Sequence, residues 1–121
     1  MTEIPSTKRK FDLEERTLAF AKRVIQLCKK TDHNTINREL ISQLVRASGS
    51  IGANYREANE ALSKRDFSHR IKIARKEAKE TGYWLQLLEE AQPGLDGEIS
   101  ELRGEAGELR KILSSIAEKA S

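Results

Sequence analysis

The stretch S-K-R-D-F-S-H-R-I-K-I-A-R-K-E-A-K-E-T-G-Y-W-L-Q-L-L-E-E, Ser63 to Glu90, decides the fold. Phe67, Ile71, Ala74, Ala78, Thr81, Leu85 and Leu88 recur at spacings that alternate between four and three. That period lays them along one face of an α-helix. At about 100° per residue, Arg65, Lys72, Lys76, Lys79 and Tyr83 fall roughly opposite that face. Ile73, Glu80, Trp84 and Leu87 fall on one flank. One helix therefore carries a core face, a basic face and a second, mostly apolar face.

The same alternation recurs on both sides of this stretch. Leu13, Thr17, Phe20, Val24 and Leu27 mark a first helix, ending near Lys29-Lys30, where cations suit the negative end of the helix dipole. Asp12 with Glu15 reads as its capping box, and residues 1–10, with Pro5 and Lys8-Arg9-Lys10, read as a flexible tail. Leu18 and Ile25 lie nearly opposite the first stripe. A polar connection from Thr31 to Asn37, containing His33, leads to a second helix from about Asn37. Ile41, Leu44, Ser48, Ile51, Tyr55, Ala58 and Leu62 form its stripe. Gly49 and Gly52 each cost up to ~1 kcal/mol of helix propensity, so they imply close approach of another helix.

The break before the third helix is short: Ser63 caps, Asp66 holds the third position, and Leu62 with Phe67 forms a hydrophobic staple. Gln92-Pro93-Gly94 stops that helix. Asp96 reads as the cap of a fourth, whose seam is Leu95, Ile99, Leu102, Ala106, Leu109, Leu113, Ile116 and Ala120. No segment alternates at period two for long enough to make a strand. Residues 11–121 are thus expected to be a single all-α domain, an antiparallel up-down-up-down four-helix bundle.

Composition narrows the function classes. The chain has 121 residues, one cysteine and a formal charge of +3. Cys28, near the apolar side of its helix, reads as core filler, and a lone cysteine rules out an intrachain disulfide. No window approaches a membrane span, and without a hydrophobic run near Met1 no signal peptide is expected, so the cytoplasm is the expected location. Lys64 to Lys79 carries seven basic residues against Asp66 and Glu77, which concentrates positive charge on one half-helix. With two histidines the chain falls short of the paired Glu-x-x-His motifs of a di-iron bundle, and neither a nucleophile triad nor a phosphate loop is present. The expectation is a non-enzymatic protein with no metal and no cofactor.

The residues from Glu39 to Phe67, E-L-I-S-Q-L-V-R-A-S-G-S-I-G-A-N-Y-R-E-A-N-E-A-L-S-K-R-D-F, with I-K-I-A and E-T-G-Y-W-L-Q-L-L further on, carry a resemblance. Gln43, Leu44, Arg46, Ala47, Ser50, Ile51, Asn54 and Glu57 fit a Q-L-x-R-A-x-x-S-I-x-x-N-x-x-E pattern, joined by Asp66-Phe67 and Glu80. The chain resembles the four-helix-bundle proteins encoded in intervening sequences of bacterial large-subunit ribosomal RNA genes, a family related to the accessory variability protein of diversity-generating retroelements. It departs from many relatives at Lys76-Glu77, where they have Gly-Ser, and at Gly82, where they have a second glutamate. The resemblance implies a homo-oligomeric barrel, typically a pentamer, and nucleic-acid association. It also implies a protein partner such as a reverse transcriptase where the gene neighbourhood supplies one.

Two surfaces follow as expectations. Leu18, Ile25, Ile73, Trp84 and Leu87 are the candidate oligomer interface, because a second apolar stripe invites association unless a wide core absorbs it. Arg65, Lys72, Arg75, Lys76, Lys79 and Tyr83 are the candidate RNA- or DNA-binding face, the lysines meeting phosphates and the tyrosine a base. The competing class is a protein–protein interaction scaffold with no nucleic-acid role.

Overall fold

Local chemistry sets where each helix begins and ends. A computed structural model describes the backbone of residues 5–120 and the side chains of residues 13–120. Its elements are α1 (Pro5–Cys28), α2 (Thr35–Asn59), α3 (Lys64–Ala91) and α4 (Asp96–Ala120), and no strand occurs among the described residues. Helix α2 starts where the Asn34 side chain accepts the Asn37 N–H at 2.8 Å. Helix α3 starts where Ser63 accepts the Asp66 N–H at 3.0 Å, the cap its sequence announced. Gly94, at φ +95°, turns the chain between α3 and α4 in a conformation that favours glycine.

Pairings between helices fix the register. Along α1, the turn after it and α4, Arg16 meets Glu105 at 2.7 Å, Arg23 meets Glu101 at 3.4 Å and Lys30 meets Glu98 at 2.9 Å. Residue numbers rise on α1 as they fall on α4. The same opposition holds between α2 and α3, where Arg46 lies 3.8 Å from Glu80 and Arg70 donates to Asn54 at 3.2 Å. Between α1 and α2, Asn59 donates to Glu14 at 2.7 Å, and Thr17 sits against Gly52.

All four helices bury their stripes in one core. Phe20, Val24, Leu27, Leu44, Ile51, Ile71, Leu85, Leu88, Ile99, Leu109 and Leu113 are all at most 1% exposed. Each such side chain contributes roughly 1.5–3 kcal/mol of burial. Thr17, Ser48 and Thr81 enter this core because each hydroxyl donates to a carbonyl one turn back, those of Glu14, Val45 and Glu77. Cys28 packs on its edge, and burial pushes the thiol pKa up to about 11.

Several sequence expectations need correction. Helix α1 is already formed at Pro5, so residues 5–10 are its first turns rather than tail, and Asp12 lies inside it rather than capping it. Proline suits a first helical position, since the N–H it lacks has no helical partner there. Residues 1–4 lie outside the described residues. Leu62 is 99% exposed, so neither the end of the α2 stripe nor the staple with Phe67 forms. The chain has left α2 by Glu60, whose N–H bonds Glu57 and Ala58 carbonyls in a tightened last turn.

At the other end of α2, Asn37 is buried while Ile41 is only half-buried. Asn37 donates to the Asp32 carbonyl and to Gln92 Oε1, and that same oxygen accepts the Asp32 N–H at 2.9 Å. This polar knot ties the α1–α2 connection to the end of α3. Asp96 is in the first turn of α4, not its cap, since the Leu95 carbonyl accepts the first helical bond from Ile99. Late in α4 Ala117 is buried and Ile116 only half-buried, because a straight helix drifts off a seven-residue repeat.

Candidate functional site

Helix α3 presents Arg65, Lys72, Lys76, Lys79 and Tyr83 to solvent, with Arg75 half-buried beside them. At ~1.5 Å rise per residue, Lys64 to Lys79 spans about 22 Å. Helix α4 supplies the opposite wall. Lys72, Arg75, Lys76 and Lys79 share a groove of about 470 Å³ with Arg110 and Ser114. A second groove of about 480 Å³ continues from Lys72 past Ser68, His69 and Arg65 to Lys64, with Ala120 of α4 at its side. Neither groove is lined by a carboxylate.

The charge in these grooves is unbalanced. Elsewhere several cations have acidic neighbours: Arg16 and Arg23 on α1, Lys30 just after it, Arg46 on α2, and Arg103 and Lys111 on α4. Among the described residues no ion pair engages Lys64, Arg65, Lys72, Arg75, Lys76, Lys79 or Arg110. Lys72 with Lys76, and Lys76 with Lys79, are like-charged neighbours on one helix face. Each such pair costs a helix a few tenths of a kcal/mol, ~0.2–0.5. A multiply charged anion along the groove would remove that repulsion.

Tyr83 closes the row. It is 56% exposed, and its ring meets Trp84 edge-on, centroids 5.3 Å apart and planes at 69°. Trp84 itself packs against the core, with its Nε1 buried and without a hydrogen-bond partner. An exposed ring is thereby braced by a half-buried one.

The candidate interface residues separate. Leu18 and Ile25 stand 44% and 42% exposed on α1. On α2, which packs against α1 where Thr17 meets Gly52, Val45 is 37% exposed. Ile73, Trp84 and Leu87 are half-buried on the flank of α3, and the core takes up part of that flank through Trp84. The polar residues of the Q-L-x-R-A pattern lie away from the groove. Arg46 lies 3.7 Å from Glu77 and 3.8 Å from Glu80, and Asn54 accepts from Arg70 and donates to the Ser50 carbonyl. They stitch α2 to α3.

Sequence reasoning missed Arg110 and Ser114. Both lie on the flank of α4 beside Leu109 and Leu113, and periodicity leaves open which flank faces α3. Among the described residues, no group of three His, Cys, Asp or Glu side chains is placed to hold a metal ion, and no helix is long and apolar enough to cross a membrane.

Comparison with known proteins adds a family. Residues 9–115 match the 23S rRNA-intervening sequence protein family. A crystal structure of a protein with unknown function from the S23 ribosomal protein family of Bacteroides thetaiotaomicron VPI-5482 is 34% identical, covers 87% of this chain and 97% of its own, and superposes with a TM-score of 0.77. Among curated proteins, none matches the chain.

Proposed function

The chain belongs to the 23S rRNA-intervening sequence protein family, and on that premise we propose that it is a non-enzymatic, homo-oligomeric bundle that binds RNA or DNA phosphates through the basic face of α3. One observation carries the reading: a row of cations without acidic partners shares a groove with Arg110. Among the described residues, every cation with an ion pair lies outside that groove. The opposed residue numbering of facing helices supports an antiparallel up-down-up-down order. Leu18, Ile25 and Val45, exposed on adjoining helices, support association of copies into a barrel, and the family resemblance makes a pentamer the size to test. Repetition of the basic row around a closed ring multiplies weak phosphate contacts into useful affinity. Contacts to phosphate carry little sequence information, so binding is weakly specific, and its place is the cytoplasm.

Labelled RNA and DNA titrated at several salt concentrations test this. Affinity falls steeply with salt, the slope reporting the number of phosphates neutralised. Lys72→Glu, Lys76→Glu and Lys79→Glu combined abolish binding while helicity and oligomer mass persist. No binding by the parent at low salt, or unchanged affinity in the triple variant, refutes the reading and leaves a protein–protein scaffold in its place. A monomer mass by light scattering at micromolar concentration removes the oligomer.

A further inference from the structure

We infer that the nucleic acid taken by this site is a single strand, laid in the α3–α4 groove with its phosphates on Lys72, Lys76, Lys79 and Arg110 and an unpaired base stacked on Tyr83. The inference rests on the proposed nucleic-acid reading and narrows it. Three observations carry it. First, the cations lie on both walls of a groove, Arg110 on α4 and the lysines on α3, rather than on one convex ridge. Two packed helices lie only about 8–10 Å apart, so a groove between them admits one sugar-phosphate chain and is narrower than a duplex. Second, the two grooves share Lys72 and follow the helix axis from Lys64 to Lys79, which suits an extended chain.

Third, the row ends on an exposed aromatic ring. Tyr83 lies on the same side of α3 as Lys72, Lys76 and Lys79, being four residues beyond the last. Its edge-on contact with Trp84 at 5.3 Å limits the orientations it samples. A ring held in advance loses less freedom when a base stacks on it. Bases in a duplex already stack on one another, whereas an unpaired base has a face to offer. Ser114, one turn beyond Arg110 on the α4 wall, adds a hydroxyl that can donate to phosphate.

The test uses the full chain and three probes of one sequence: single-stranded RNA, single-stranded DNA, and the DNA duplex, at one fixed salt concentration, followed by fluorescence anisotropy. Both single strands are expected to bind more tightly than the duplex. Tyr83→Ala is expected to weaken the single strands by about 5- to 100-fold and to leave the duplex unchanged, with Tyr83→Phe restoring the parent affinity. Arg110→Glu weakens every probe that binds. Tyr83 is exposed, so a fold defect is not expected, and circular dichroism of each variant verifies this. A duplex bound as well as the single strands, or a Tyr83→Ala variant with parent affinity for them, overturns the single-strand inference while the proposed reading stands. Absence of binding by all three probes overturns both.

Discussion

Gly52→Ala and Gly49→Ala should change stability in opposite directions, although the two glycines lie three residues apart on one helix. Each substitution gains up to ~1 kcal/mol of helix propensity. At Gly49 a Cβ meets nothing within 4 Å, so that gain is kept. At Gly52 a Cβ comes within 2.8 Å of Thr17 Oγ1 and 3.2 Å of Thr17 Cβ. Thr17 has little freedom to yield, being 1% exposed with its hydroxyl committed to the Glu14 carbonyl at 3.1 Å. Overpacking of this kind costs about 1–3 kcal/mol, and rotating Thr17 away loses its hydrogen bond, worth about 1 kcal/mol. Net, Gly52→Ala should destabilise by about 1–2 kcal/mol. Gly49→Ala should stabilise by about 0.5–1 kcal/mol.

Urea unfolding followed by circular dichroism, at one protomer concentration, reads both. Combining Gly52→Ala with Thr17→Ala removes the clashing oxygen and should recover part of the loss, a coupling visible in a double-mutant cycle. If Gly52→Ala stabilises the protein as much as Gly49→Ala does, the close approach of α1 to α2 at Thr17 is refuted.

Leu44→Ala, at a side chain 0% exposed, should cost about 2–5 kcal/mol by the same assay. Glu105→Gln breaks the two-pronged contact with Arg16, at 2.7 and 2.9 Å on a partly exposed seam. The loss should be at most about 1 kcal/mol and shrink as salt is raised, which melting curves at two ionic strengths will read. The Cys28 thiol, raised from 9.0 to about 11 by burial, should react slowly with a thiol reagent at pH 8 and rapidly once urea unfolds the chain. Because the folded state holds that proton more tightly, the contribution to stability is full below pH 9 and declines as pH rises towards 11.

Periodicity alone determined the helices, their number and most of the core. A buried stripe must recur every three or four residues, and Phe20, Leu44, Leu85 and Leu109 each declare themselves that way. The cap at Ser63 and the basic row of α3 were legible for the same reason, since both are local to one helix. Legibility failed where a residue's environment comes from another part of the chain. Leu62 fits the α2 stripe by spacing, yet the chain has turned out of the helix before it. Asn37 is buried by Gln92, which lies 55 residues further on. Gly49 and Gly52 look alike in sequence, and only the placement of Thr17 distinguishes them.

The site divides along the same line. Lys72, Lys76, Lys79 and Tyr83 share a face because a helix turns about 100° per residue, a property each helix carries alone. That Arg110 and Ser114 face them, and that no carboxylate does, depends on which flank of α4 is rotated toward α3. Helix α4 carries more acidic residues than any other helix, but Glu98, Glu101 and Glu105 are turned to α1 and the turn after it, where Lys30, Arg23 and Arg16 meet them. A helix's own pattern says which side is inside; only packing against its neighbours says what each remaining side confronts.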